Sequence, residues 1–138
     1  MTELADTSAW TNRHKRLAAL TAFNEALIGR GIATCGMVKL ELLWASRDHA
    51  DLVATREELD ALDELPIGPP VWRRAVEVLE AFAARGPLHH RQVKLPALLI
   101  AGAAELAGIP VCHYDRDFER IAEVTGQRVR AIAPLGSL

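Results

Sequence analysis

The sequence predicts an α/β domain of three layers, a short parallel sheet flanked by helices. Short apolar runs of strand character alternate along the chain with longer stretches of helical period. The chain has 138 residues, 50% hydrophobic and 25% charged, enough for one well-buried core. No repeat, low-complexity tract or linker divides it, so a single domain over 1–138 is expected.

The first strand is expected at 3–5 and ends at Asp6. Thr7 or Ser8 is a natural N-cap for an interrupted helical stretch running to about Ile28, which Gly29 and Gly31 stop. Ile32-Ala33-Thr34-Cys35 reads as a second buried strand. Gly36 then opens a helix with Val38, Leu42 and Ala45 on one face. A further helix is expected over 48–63, and Leu65-Pro66-Ile67-Gly68-Pro69-Pro70 breaks it. Trp72, Ala75, Val76, Leu79 and Phe82 recur at three-and-four spacing and place an amphipathic helix over 71–84. Pro96 fits a first helical position, and the stretch 98–106 is apolar almost all round, so this helix should be central before Gly108 caps it. A buried strand follows at 110–114, then a helix over 115–124 and a last strand at 129–132.

Composition excludes several classes. No apolar run is long enough to cross a bilayer, and the opening MTELADTSAW lacks the order of a signal peptide, so a cytoplasmic protein without a membrane partner is expected. Cys35 and Cys112 lie far apart inside apolar runs and read as buried thiols. A formal net charge of -2 excludes the affinity for polyanions of a strongly basic protein. The field is still polarised, with 7 basic and 11 acidic residues over 1–69 against 9 and 7 over 70–138. Arg13 and Lys15, and Arg91 and Lys94, belong to local basic clusters that either line a groove for a polyanion or form solvated surface. His89-His90 reads as an exposed loop pair, with no further ligand at zinc spacing.

In open parallel sheets the ligand crevice lies beyond the carboxyl ends of the strands. Asp6 follows one predicted strand, and Asp115 and Asp117 follow another. If those strands are neighbours, three carboxylates converge on one rim, where they must share protons or take up a divalent cation such as Mg²⁺ or Mn²⁺. Glu41, in the second turn of the helix after the second strand, is a fourth candidate. Each acid also has a plainer role open to it. Asp6 and Asp115 fit as helix caps, Asp117 suits a first helical turn, and Glu41 suits a solvated helix face.

Four segments carry more than spacing: Leu4-Ala5-Asp6-Thr7-Ser8-Ala9, Val38-Lys39-Leu40-Glu41-Leu42-Leu43, His90-Arg91-Gln92-Val93-Lys94-Leu95-Pro96, and the run from His113-Tyr114-Asp115-Arg116-Asp117 to Ala122. In this order, across essentially the whole length, they resemble a PIN-domain ribonuclease, specifically the VapC toxins of bacterial type II toxin–antitoxin pairs. The resemblance implies an α/β/α fold and an acidic quartet that binds Mg²⁺ or Mn²⁺ and cuts tRNA or ribosomal RNA. It also implies a homodimer silenced by a VapB-type antitoxin. Asp6 matches the first acid, Glu41 the second, Asp115 the fourth, and Asp117 the auxiliary acid after it; Ser8 matches the small polar position behind the first. Where the family has its third acid, a direct metal ligand after the Pro that opens the central helix, this chain has Ala97. The resemblance therefore implies a crippled enzyme, and the intact remaining motifs favour deliberate substitution over natural decay.

For a parent with aspartate at 97 the expected chemistry is metal-assisted phosphodiester hydrolysis. Two rivals stand beside it. Asp115-Arg116-Asp117 after a strand also has the form of an aspartate-nucleophile phosphatase motif, although here only one strand follows it. The non-enzymatic alternative is an RNA- or antitoxin-binding module of the same fold, and Ala97 is its best support.

Overall fold

The computed structural model describes residues 1–138. Five parallel strands form one sheet in the order β3-β2-β1-β4-β5. They are β1 (Glu3–Ala5), β2 (Ile32–Cys35), β3 (Asp63–Leu65), β4 (Val111–His113) and β5 (Val129–Ala131). Seven α-helices connect and cover them: α1 (Thr7–Asn12), α2 (Leu17–Ile28), α3 (Gly36–Trp44), α4 (His49–Asp60), α5 (Pro69–Ala83), α6 (Leu95–Ala107) and α7 (Arg116–Thr125). The α/β architecture expected from the alternating pattern is what the chain adopts.

The register places the first and fourth strands side by side. Leu4 pairs with Val111 and Ala5 with Cys112, while on the other side of β1 Leu4 pairs with Ala33. The central strands are buried on both faces, which is why they read as continuous apolar runs. Both cysteines are free and buried, as expected.

The interruption expected between 7 and 28 is a 3-10 turn at Arg13–Lys15 followed by extended Arg16. Side chains end α1: Asn12 Nδ2 donates to the Ser8 carbonyl at 2.8 Å, and Arg13 donates to that of Trp10 at 3.2 Å. Helix α6 is central and buried along most of its length, as its composition predicts. It approaches α5 at Gly102, where an added Cβ would lie 3.3 Å from the Val71 Cγ1. Gly108 closes α6 at φ 71°, the left-handed conformation that glycine adopts most easily.

One element departs from expectation. The helix predicted to reach 63 ends at Asp60, and Asp63–Leu65 joins the outer edge of β2 as a strand. Two of its three residues are acidic and exposed, so no apolar alternation marks it. It is tied down by Lys39 of α3, whose ammonium meets Asp60 at 2.6 Å and Glu64 at 2.8 Å. No helix is long and apolar enough to cross a membrane.

Candidate active site

The cleft lies at the carboxyl ends of β1 and β4, the two adjacent central strands. Asp6 leaves β1 and caps α1, its Oδ2 accepting the Ser8 N–H at 2.9 Å and the Ser8 hydroxyl at 2.5 Å. The Ser8 Oγ in turn accepts the Tyr114 N–H at 2.9 Å, just beyond β4. Ser8 thus joins the two strand ends that carry Asp6 and Asp115. Asp115 caps α7, its Oδ1 accepting the Asp117 N–H at 2.9 Å, while its Oδ2 meets the Lys94 Nζ at 3.0 Å. Glu41 comes from α3, and its Oε1 accepts the Thr7 hydroxyl at 3.0 Å. Capping and facing the cleft are not alternatives for Asp6 and Asp115, because only one oxygen of each is committed to the cap; Oδ1 of Asp6 has no hydrogen bond, and Oδ2 of Asp115 meets Lys94.

Asp6, Glu41 and Asp115 line one cleft of about 360 Å³ together with Ser8, Lys94 and Ala97. Thr11, Asn12 and Tyr114, which sequence reasoning passed over, share its wall. Burial pushes the Asp6 carboxyl above its usual range; the two bonds from Ser8 pull it back, and the charges of Glu41 and Asp115 push it further up. Such a carboxyl gains from a nearby positive charge, and the donors around it are hard oxygens, the kind Mg²⁺ or Mn²⁺ takes. The donor chemistry fits a divalent cation, but no three acidic, His or Cys side chains close to ion-holding distance. Ala97, 5% exposed in the first turn of α6, contributes only a methyl group to the wall. The Lys94 ammonium supplies the positive charge at the rim.

Asp117 does not join this group. It is buried, its Oδ2 accepts the Lys94 N–H at 2.9 Å, and its Oδ1 accepts from Arg120 at 3.2 Å. Its geometry is that of a brace between α7 and the start of α6, and its Oδ2 lies 3.3 Å from the Lys94 ammonium that also meets Asp115. Arg13 is also turned away from the predicted role: its guanidinium stacks on Trp10 at 4.8 Å and Phe23 at 5.1 Å, and its Nε is buried without a partner. The two rings meet edge to face with centroids 4.9 Å apart, and both draw the guanidinium by cation–π attraction. Lys15 and Arg91 are exposed on separate 3-10 turns outside the cleft, so of the four basic candidates only Lys94 lines it. His89 and His90 are half-buried in the second of these turns rather than exposed.

The sequence model of the family described as PIN domain matches residues 4–124. The chain belongs to the PIN-domain family. Among curated relatives it is 40% identical over 133 residues to ribonuclease VapC18 of Mycobacterium tuberculosis, covering 96% of each chain. It is 43% identical over 138 residues to ribonuclease VapC21 of the same organism, covering 97% of this chain and 96% of the relative. Its fold is similar to that of a DNA-bound VapBC from Salmonella typhimurium, with a TM-score of 0.73 at 19% identity over 96% of this chain and 100% of the other. The same holds for VapBC-5 of M. tuberculosis, a toxin–antitoxin family member, at a TM-score of 0.68 and 23% identity over 94% and 98% of the two chains. This PIN domain therefore sits among VapC proteins along its whole length, and its acidic cleft lies at the opening of the sheet where ligands of parallel α/β folds bind.

Proposed function

We propose that this chain is the toxin of a type II toxin–antitoxin pair, a cytoplasmic Mg²⁺- or Mn²⁺-dependent endoribonuclease acting on tRNA or ribosomal RNA, whose cutting is strongly impaired by Ala97. The observation that carries the reading is the convergence of Asp6, Glu41 and Asp115 on one cleft of a VapC-like PIN domain. Asp6 would hold the cation through the oxygen its cap leaves free and Asp115 through the Oδ2 that Lys94 now meets, and Glu41 would orient water. A bound divalent ion supplies a hydroxide-like nucleophile and offsets charge on the phosphate. Lys94 would grip a phosphate oxygen at the rim of this cleft. Asp117 serves by fixing the Lys94 backbone, and Ser8 by fixing the spacing of the two caps.

The partners of this reading are a VapB-type antitoxin and a second copy of the chain. What supports them is apolar surface: Trp44 is 88% exposed in a hollow it shares with Thr7 and Glu41, and Trp72, Val76 and Leu95 are each more than half exposed around a groove between α5 and α6. The rival reading, a binding module without chemistry, draws on Ala97 and on the Lys94 ammonium already compensating the acids. Incubating structured RNA with the purified chain and with its Ala97→Asp variant, with and without Mn²⁺, decides between them. Mn²⁺-dependent products from the variant, with little from the parent, are expected. Retention of RNA on a gel without cleavage by either form would support the module instead.

A further inference from the structure

Strand β4 ends at His113, so the N–H groups of Tyr114 and Asp115 leave the ladder where the sheet opens. Buried backbone donors need partners. The Tyr114 N–H goes to Ser8, as described, and the Asp115 N–H donates to the Nδ1 of His113 at 3.1 Å. An imidazole nitrogen that accepts carries no proton, so in the neutral ring the proton sits on Nε2, which lies 3.2 Å from Oε1 of Glu119 in the first turn of α7. The ring is 0% exposed and packs on Phe118 with centroids 5.3 Å apart. A leucine would fill that space without two polar nitrogens to satisfy. Both nitrogens are nevertheless used, one on each side of the Asp115 turn.

We infer that His113, fixed in its Nε2–H tautomer by Glu119, is a positioning residue that holds the Asp115 peptide and so aims the Asp115 carboxylate into the cleft. The inference rests on the reading of Asp115 as an acid of the reacting site. Two restraints act on that residue: the bond from its N–H to His113 sets the peptide, and the bond from the Asp117 N–H to Oδ1 sets the carboxylate plane. Oδ2 is left facing Lys94 and the cleft. Glu119 acts one step further out, as the carboxylate behind a histidine does at many sites.

The test uses the full chain and its Ala97→Asp variant, each with His113→Leu, His113→Asn or Glu119→Ala. Asparagine can accept the N–H two residues on, as in an Asx turn, whereas leucine only fills the space. Three readouts are taken: the tautomer of His113 by nitrogen-15 NMR, exchange protection of the Asp115 amide, and Mn²⁺ affinity from the free-ion electron spin resonance signal. We expect the Nε2–H tautomer and loss of Asp115 protection in His113→Leu. We also expect Mn²⁺ binding about tenfold weaker in His113→Leu, with recovery to within about threefold in His113→Asn, the range outer partners of metal ligands command. The Nδ1–H tautomer, unchanged amide protection, or equal Mn²⁺ affinity in the leucine variant overturns the inference. If neither parent nor Ala97→Asp binds Mn²⁺, the cation reading of the cleft fails, while tautomer and amide exchange still decide the role of His113. If His113→Leu does not fold, Glu119→Ala carries the same comparison, because the Glu119 side chain is 45% exposed.

Discussion

Replacing Ala97 with aspartate inserts a carboxylate at the third residue of α6, where Ala97 is 5% exposed and shares the cleft wall with Asp6 and Asp115. Without a cation the new charge meets like charges. At about 5 Å and an effective dielectric of about 20, one such pair costs about 3 kcal/mol. The amino end of α6 returns about 0.3–1 kcal/mol. The net loss is about 2–3 kcal/mol, and at roughly 3–4 °C per kcal/mol for a chain of this size the Tm in EDTA falls by about 6–12 °C. Mn²⁺ should reverse the deficit, since a ligand at a hundred times its dissociation constant adds about 2.7 kcal/mol to the native state. Thermal unfolding followed by circular dichroism, in EDTA and in graded Mn²⁺, reads both effects. An Ala97→Asp protein as stable as its parent in EDTA, with no larger rise in Mn²⁺, would refute the reasoning.

Four further outcomes follow from the geometry. Because burial raises the Asp6 carboxyl, the folded state is penalised above that raised pKa and relieved as pH falls through it; Asp6→Asn should therefore raise Tm at neutral pH without metal, the advantage closing on acidification. Burial lowers His113, so the unfolded chain takes up a proton near pH 6.5 that the folded ring refuses; stability should fall as pH drops below about 6.5 toward the folded-state pKa, and His113→Asn should flatten that slope in urea titrations. Ser8→Ala strands the Tyr114 N–H and should cost about 1–3 kcal/mol, seen as a lower urea midpoint at unchanged slope. Gly102→Leu drives a side chain into Val71 and should cost about 1–3 kcal/mol by the same measurement.

The sequence made the central strands legible because they are buried on both faces and have no polar alternation to blur them. It made β3 illegible for the opposite reason: Asp63 and Glu64 face solvent, and their pairing with β2 is made by the backbone and by Lys39. Asp6 and Asp115 were readable from their positions just after apolar runs, a local signal. Their link through Ser8 and Tyr114 was not, since it spans 106 positions and depends on β1 and β4 being neighbours. Asp117 was readable from its place after a strand and Arg13 from its basic cluster, but their partners are tertiary: Asp117 braces Lys94, and the Arg13 guanidinium lies over Trp10 and Phe23. His113 looked like part of a strand. The clue available in the sequence was a polar residue two positions before Asp115, and only the fold shows which nitrogen it offers.

The pairing of Leu4 with Val111, and of Glu3 with Arg130 at 2.8 Å, has a consequence for biosynthesis. Asp6 emerges from the ribosome 109 residues before Asp115, and its strand stays unpartnered on one side until β4 arrives. Contacts that close so long a loop form late. A nascent or prematurely terminated polypeptide that stops short of β4 lacks one wall of the acidic cleft, so whatever chemistry the cleft performs is withheld until translation has passed that strand.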